Sequence, residues 1–301
     1  MRVLLVGLGS IARKHIAALR KIDPAVQLVA WRSSRGGASL EGVADVYSLP
    51  VGETFDFAIV SNPTACHAAT VRELLALNIP LYIEKPVFAD LGHEDLLEEI
   101  RRRGILTHVA CDMRYFDTLQ FIKDHLKELK VNEVNVYCGS YLPSWRPGTD
   151  WRGSYSARED MGGGAHRDLI HEPDYLWWLF GKPARTHKLL RSASTLGIEA
   201  VDYAHYLWEY PGFTASVVLN YYRKDYKRSL EIVADGTTWT ADLAAGTVTD
   251  ETGRVLFRTA MKADDDYLAQ MGYFVGLVQQ HATHSNNDVF EAYEVLKLCL
   301  E

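Results

Sequence analysis

Three groups of residues in this sequence have the types and spacing to do chemistry. The first is Gly7-Leu8-Gly9-Ser10-Ile11-Ala12, which follows the apolar run Val3 to Val6 and opens a segment of helical periodicity. Gly7 permits a tight turn, Gly9 lets the backbone approach a pyrophosphate, and small Ala12 lets the helix pack close to the strand. The helix start then offers unpaired N–H groups to the anion, so the chemistry is dinucleotide binding, with Ser10 and Ile11 in the first turn. The second group is Glu84-Lys85-Pro86. Lys85 ends an apolar run, which places it at the carboxyl edge of a sheet, where ligands of open α/β folds bind. The third is Gly162-Gly163-Gly164 followed by Asp168 and His171. Helical offsets put His171 with Asp168, Asp174, Tyr175 and Trp178 on a polar face able to form a site, while Leu169, Leu176, Trp177 and Phe180 line an apolar one.

Cofactor choice is read about 20 residues past the glycines, where an acid usually holds the ribose 2′-hydroxyl of NAD. Here the segment is Trp31-Arg32-Ser33-Ser34-Arg35, with no acid. Arginine can bind a 2′-phosphate bidentately and serine can donate to it, so Arg32, Ser33 and Arg35 favour NADP over NAD. The bland alternative is that both arginines stack on adenine or face solvent.

These groups need elements to hold them. Strand-like runs at residues 2–6, 26–31, 57–60, 81–84 and 106–110 alternate with helical segments near 10–21, 64–77 and 90–103. Such alternation predicts a parallel sheet with right-handed crossovers. A helix near 118–129 follows, and strand-like stretches at 133–141, 185–191, 203–210, 214–222 and 229–234 then predict a second, mainly antiparallel sheet, with one helix at 174–180 closed by Gly181 and Pro183. Pro173 is poorly tolerated inside a helix, so this helix is expected to start near Glu172. The expected division is a dinucleotide-binding domain at 1–115, a sheet domain at 116–285, to which the family resemblance described below assigns substrate binding and self-association, and a C-terminal helix at 286–301 packing back near the first domain.

Composition narrows the classes. With 301 residues, 48% hydrophobic and 24% charged, the chain has ample core for two modules. No apolar run approaches the roughly 20 residues of a membrane span, so no membrane association is expected. A net charge of −7 provides no footprint for nucleic acid. Four scattered cysteines form no CxxC pair, and the N-terminus shows no signal-peptide pattern, which suits a cytoplasmic protein with reduced thiols. His166, Asp168 and His171 match no metal motif, and no metal is expected.

The set Ser61-Asn62-Pro63-Thr64 with His67, then Glu84-Lys85-Pro86, then the glycine run with Asp168, His171 and Asp174, resembles the glucose-fructose oxidoreductase and inositol dehydrogenase family, written Gfo/Idh/MocA. The resemblance implies a Rossmann domain followed by an open-faced antiparallel sheet domain. It also implies an NAD(P)-dependent oxidoreductase acting on a CH–OH group of a sugar or cyclitol. Asn62, Pro63, His67, Glu84 and Lys85 would then join the cofactor site, and Lys85 and His171 would be the catalytic pair. His171 would serve as general base, with Lys85 stabilising the alkoxide. The family aspartate precedes its histidine by four residues, whereas Asp168 precedes His171 by three, so Asp168 orients the histidine or the substrate from a shifted place or caps the helix. Relatives in the fold that bind dinucleotide as regulators without turnover, and redox-assisted glycoside cleavage, are the alternative activities.

The stretch Tyr141 to Arg158 is rich in aromatics and arginines. Aromatic faces suit sugar rings and arginines suit a carboxylate or phosphate, so Trp151, Arg152 and Tyr155 join Lys85, Asp168 and His171 as candidate substrate residues. The expected substrate is a sugar, with an acidic or nucleotide-linked one suited to the arginines. The alternative is that these side chains only pack the loop onto the sheet. A homo-oligomer, dimer or tetramer, is the further expectation from the resemblance.

Overall fold

The computed structural model describes residues 1–301 and divides into two compact units, Met1–Asp112 with Ala263–Leu300, and Met113–Lys262 with Glu301. The chain begins with β1 (Arg2–Val6), α1 (Ser10–Ile22), β2 (Gln27–Trp31), β3 (Val43–Val46) and β4 (Phe57–Val60). It continues through α2 (His67–Leu74), β5 (Leu81–Ile83), α3 (Glu94–Arg103) and β6 (Thr107–Val109). All six strands are parallel, in the order β3-β2-β1-β4-β5-β6. Val3, Leu4, Leu5 and all of Phe57–Val60 are out of solvent, as unbroken apolar strands covered on both faces must be. Strand order reverses between β1 and β4, which creates the crevice where such sheets bind ligands.

Helix α1 buries Ala12, His15, Ile16 and Leu19 along one face. Helix α3 begins with Glu94 and Asp95 and ends with Arg101, Arg102 and Arg103, matching charge to the helix dipole, and Gly104 closes it in the left-handed conformation.

The second unit runs α4 (Asp117–His125), β7 (Val131–Tyr141), α5 (Ala165–Asp168), α6 (His171–Phe180), β8 (Arg185–Arg191), β9 (Tyr203–Glu209) and β10 (Thr214–Asn220). β11 (Tyr222–Ala234), β12 (Thr237–Asp242), β13 (Thr247–Thr249) and β14 (Val255–Arg258) complete it. Its eight-stranded sheet has the order β14-β13-β12-β11-β7-β10-β9-β8, antiparallel except for the parallel pair β7 and β10. Val134, Val136, Cys138, Ala204, Tyr206, Trp208, Val217 and Leu219 are buried on one face, in the strict alternation of a half-covered sheet.

The chain then returns to the first unit with α7 (Asp265–Gln279) and α8 (Val289–Leu300). The sequence reading carries the second segment to residue 285, whereas the return begins at Ala263. The reason is α7, whose Met271, Phe274 and Val275 lie in the same core as Val3, Leu5, Ile16, Leu19 and Phe57. Phe274 meets Phe57 edge-on at 5.2 Å.

Candidate functional site

In the first unit, the turn after β1 is built around Gly7. Its φ is +92°, and a Cβ there would lie 2.6 Å from the Asn62 backbone nitrogen, so no side chain fits. Ser61 ties the two strand ends by donating to the Val6 and Gly7 carbonyls at 3.1 and 3.2 Å. Gly9 is the N-cap of α1 and has open space where a Cβ would stand. No side chain caps that helix and no acid occupies its first turn, which contains Ser10 and Ile11. Asn62 donates to Thr70 at 2.7 Å, yet its buried Oδ1 has no partner within the chain. An uncapped, acid-free helix start, an open glycine and an orphaned acceptor fit a pyrophosphate-bearing dinucleotide.

Pro63 sits at the start of the short 3₁₀ turn Thr64–Cys66, which leads into α2 at His67. The His67 ring lies among carbonyls, with Nδ1 3.0 Å from Pro86 O and 3.2 Å from Val87 O, and Nε2 3.0 Å from Asn62 O. Burial outweighs these carbonyls and holds the ring below its ordinary value, so it is neutral and donates through one nitrogen. His67 thereby joins the end of β4 to the segment after Lys85, where the Lys85-Pro86 bond is cis. Glu84 is buried and accepts from the Lys85 backbone N–H at 3.2 Å and from His15 Nε2 at 2.6 Å.

At the end of β2 the arginines are engaged. Arg32 donates to both Asp45 oxygens at 3.3 and 3.1 Å and to Ala38 O at 2.9 Å. Arg35 lies over the Tyr47 ring at 4.7 Å, and Ser33 is exposed. Asp45 is held below the usual carboxylate range chiefly by the Ser39 hydroxyl, opposed by burial and helped by Arg32.

In the second unit, Asp168 and His171 do not share a helix. α5 ends at Asp168 and α6 starts at His171, with Leu169 and Ile170 between them. The common helical face expected from the sequence is therefore broken. Asp168 accepts from Tyr155 at 2.9 Å and from Tyr221 at 2.5 Å, and both tyrosines are pushed above the usual phenol range, chiefly by burial. Pro173 is accommodated because it falls in the first turn of α6. The residues beside His171 are clamped: Glu172 receives Arg228 at 2.5 and 3.2 Å, and Asp174 receives Arg114 at 2.8 and 2.7 Å.

The glycine run has a steric cause. A Cβ on Gly163 would fall 2.0 Å from the Tyr155 carbonyl oxygen, and the Gly163 and Gly164 amides donate to Arg158 and Ser156 at 3.0 and 3.1 Å. These contacts fold the loop bearing Trp151, Arg152 and Tyr155 back on the glycine turn that leads into α5. Arg152 stacks on Trp151 at 4.4 Å, Arg146 lies over Tyr155 at 5.4 Å, and Trp145 meets Tyr221 edge-on at 5.3 Å. The second unit thus gathers Asp168, Tyr155, Tyr221 and Trp145. Lys85 belongs to the first unit and His171 to the second.

Two family models match the chain, an oxidoreductase family with an NAD-binding Rossmann fold over residues 1–111 and the GFO/IDH/MocA C-terminal domain over residues 120–241. The chain belongs to the Gfo/Idh/MocA oxidoreductase family. A protein of Amycolatopsis mediterranei (strain S699), provisionally named UDP-kanosamine synthase oxidoreductase subunit, is 28% identical over 199 residues, 62% of this chain. The match spans 53% of that relative's length. Among solved structures, the WlbA dehydrogenase of Bordetella pertussis, in complex with NADH and UDP-GlcNAcA, superposes with a TM-score of 0.79 at 18% identity. That match covers 99% of this chain and 93% of the other. UDP-N-acetylglucosamine 3-dehydrogenase GnnA of Acidithiobacillus ferrooxidans gives 0.80 at 16% identity, covering 100% and 95%. At these identities the likeness shows the fold.

Several side chains of this Gfo/Idh/MocA member escape sequence reasoning. Asp45, Tyr221, Arg114 and Arg228 meet their partners only through tertiary structure. His15 carried a readable signal, a polar residue on the apolar face formed by Ala12, Ile16 and Leu19.

Proposed function

We propose that this chain transfers hydride between a nicotinamide dinucleotide and a secondary hydroxyl or ketone of a nucleotide-linked or acidic sugar. The observation that carries the sugar reading is the second unit's cluster of Trp145, Tyr155 and Tyr221 beside the carboxylate of Asp168, with Arg146 and Arg152 on the same loop. Aromatic edges and faces suit a pyranose ring, the carboxylate suits its hydroxyls, and the guanidinium groups suit a phosphate or carboxylate. Two similar proteins with UDP-sugars in their names support the same class.

In this reading Gly7, Gly9, Ser10 and Ile11 cradle the pyrophosphate, while Asn62, Pro63, His67 and Glu84 shape the adjoining strand ends. The bound nicotinamide supplies or accepts the hydride. His171 takes the hydroxyl proton and Lys85 stabilises the developing negative oxygen. Asp168 and Tyr155 orient the ring, with Trp151 and Arg152 at the loop's outer end.

NADP is favoured over NAD, because no acid occupies residues 31–35 and Arg35 and Ser33 stand exposed at the end of β2. Arg32 serves as the buttress of that loop through Asp45. Exposed Leu189, Leu207, Tyr222 and Tyr226 on the second sheet support self-association as a dimer or tetramer, which light scattering reads directly.

The test is a panel of UDP-sugars, UDP-uronic acids, free hexoses and cyclitols, each with NAD and NADP, followed by nicotinamide absorbance. Turnover confined to the UDP-linked or acidic members is expected. Turnover of free sugars or cyclitols alone overturns the substrate class, and a lower Michaelis constant for NADH than for NADPH overturns the cofactor preference.

A further inference from the structure

Helix α1 and the strand end that bears Lys85 are joined by a buried polar contact that the proposed chemistry does not use. His15 has no solvent exposure, and its Nε2 donates to Glu84 Oε1 at 2.6 Å. The other Glu84 oxygen accepts the Lys85 backbone N–H at 3.2 Å. One carboxylate therefore bridges the helix that begins at the dinucleotide cradle and the backbone of the lysine. The imidazole is held from two further sides, edge-on by Tyr82 at 5.1 Å and by Tyr267 at 6.1 Å. Tyr267 in turn bonds Asp112 and carries the Lys14 ammonium over its ring at 4.4 Å.

A buried polar pair contributes little net stability compared with apolar residues of the same volume, so filling space does not account for a histidine at this position. What the pair adds is direction. With His15 on one oxygen, the second oxygen of Glu84 is turned toward the Lys85 amide, whose N–H it accepts at 3.2 Å.

We propose that His15 is a positioning residue: acting through Glu84 it holds the Lys85 backbone, so that a dinucleotide seated at the start of α1 sets the place of the Lys85 amine. The proposal rests on the dinucleotide reading above. Its consequence is that cofactor binding and lysine placement are coupled through a side chain that touches neither cofactor nor substrate. Groups that hydrogen-bond a metal ligand from behind change affinity or activity by about 10- to 100-fold, and the same order is expected of His15 behind Glu84.

The test uses the full chain with NADH and NADPH as probes. Cofactor dissociation constants are read by fluorescence, and trace acetylation of Lys85 is read by mass spectrometry against exposed Lys127 as internal reference. In the unaltered chain, saturating cofactor should slow Lys85 acetylation by about tenfold. His15→Leu should bind cofactor within about threefold of the unaltered chain yet lose most of that protection, while His15→Gln, whose amide can donate to Glu84, should keep it. A role in packing alone does not separate glutamine from leucine in this way. If His15→Leu does not fold, His15→Met, which fills the site without a donor, replaces it. Full Lys85 protection in the leucine or methionine variant with cofactor bound overturns the proposal alone. Absence of cofactor binding in the unaltered chain overturns the dinucleotide reading, and this proposal with it; cofactor binding without Lys85 protection in the unaltered chain overturns this proposal alone.

Discussion

The Arg114 guanidinium donates two parallel hydrogen bonds to the Asp174 carboxylate, at 2.8 and 2.7 Å, with 0% and 1% of the two side chains exposed. Asp174 lies three residues beyond His171 on α6, so this fork fixes the helix that presents the histidine. Breaking one side of a buried pair strands the other charge, at a cost of about 3–5 kcal/mol. Arg114→Met should therefore lower the denaturant midpoint of the second unit severely. The double variant Arg114→Met with Asp174→Leu should recover most of the loss, and equal midpoints for the single and double variants would contradict the assignment.

Tyr155 and Tyr221 both donate to Asp168, and hydrogen bonds to a charged acceptor are worth about 1.5–3 kcal/mol. Tyr221→Phe should destabilise by that order in urea denaturation. If Asp168 orients the sugar, the same variant should raise the Michaelis constant for sugar more than that for cofactor. An unchanged sugar constant would leave the carboxylate a purely structural role.

His166 predicts an acid-sensitive fold. Burial lowers its pKa from 6.5 to about 3, with Arg167 and Lys188 acting in the same direction. The unfolded chain takes up this proton as pH falls through 6.5, while the folded chain resists until about 3. Stability from the neutral ring is thus complete above the unfolded value and is lost progressively below it, by about 2 kcal/mol at pH 5. His67, also lowered by burial, adds in the same sense. His166→Gln should flatten the decline of unfolding free energy across that window. A parallel curve for the variant would count against it.

The Arg32–Asp45 pair holds the guanidinium in the loop after β2. Asp45→Asn removes the charge that engages it and should improve affinity for NADPH relative to NADH by about tenfold, the scale of one charge-assisted contact. Comparing dissociation constants for the two cofactors checks this. A shift toward NADH would show that Asp45 repels nothing in the site.

Gly163→Ala should disrupt the loop carrying Trp151 to Tyr155, because the added methyl meets a carbonyl oxygen at 2.0 Å and the backbone must move. Limited proteolysis between residues 145 and 160 should accelerate by about tenfold or more as local opening becomes easier. The alanine variant of Gly9, where a Cβ meets nothing, serves as control.

Legibility in the sequence followed how local each signal was. Strands β1 and β4 are unbroken apolar runs bounded by glycine or by Ser61-Asn62-Pro63, and such runs declare themselves. Helix α7 does not, since Gly272 and Gly276 lower its helix propensity and Gln270 interrupts its apolar face. That glutamine is understandable only beside Tyr82, whose hydroxyl it accepts at 2.7 Å. β3 was hidden by its shortness and by Asp45, and β12 to β14 by threonines and charges on a half-exposed sheet edge. The glycine turn at Gly7 and Gly9 was readable together with its reason. The break at Leu169 and Ile170 was not, because nothing local separates Asp168 from the following helix until Tyr155 and Tyr221 claim its carboxylate. The engagement of Arg32 likewise depends on β2 and β3 lying side by side.

The return of α7 and α8 also imposes an order in time on synthesis at the ribosome. Phe274 completes the core beneath β1 and β4, and Tyr293 receives the Gly92 and His93 amides at 2.9 and 3.3 Å. When residue 112 emerges, the dinucleotide-binding half therefore lacks part of its interior and must wait through the synthesis of the whole inserted sheet. The nascent parallel strands spend that interval partly uncovered where α7 and α8 will pack, so this half of the chain is the one a holding chaperone would be expected to guard.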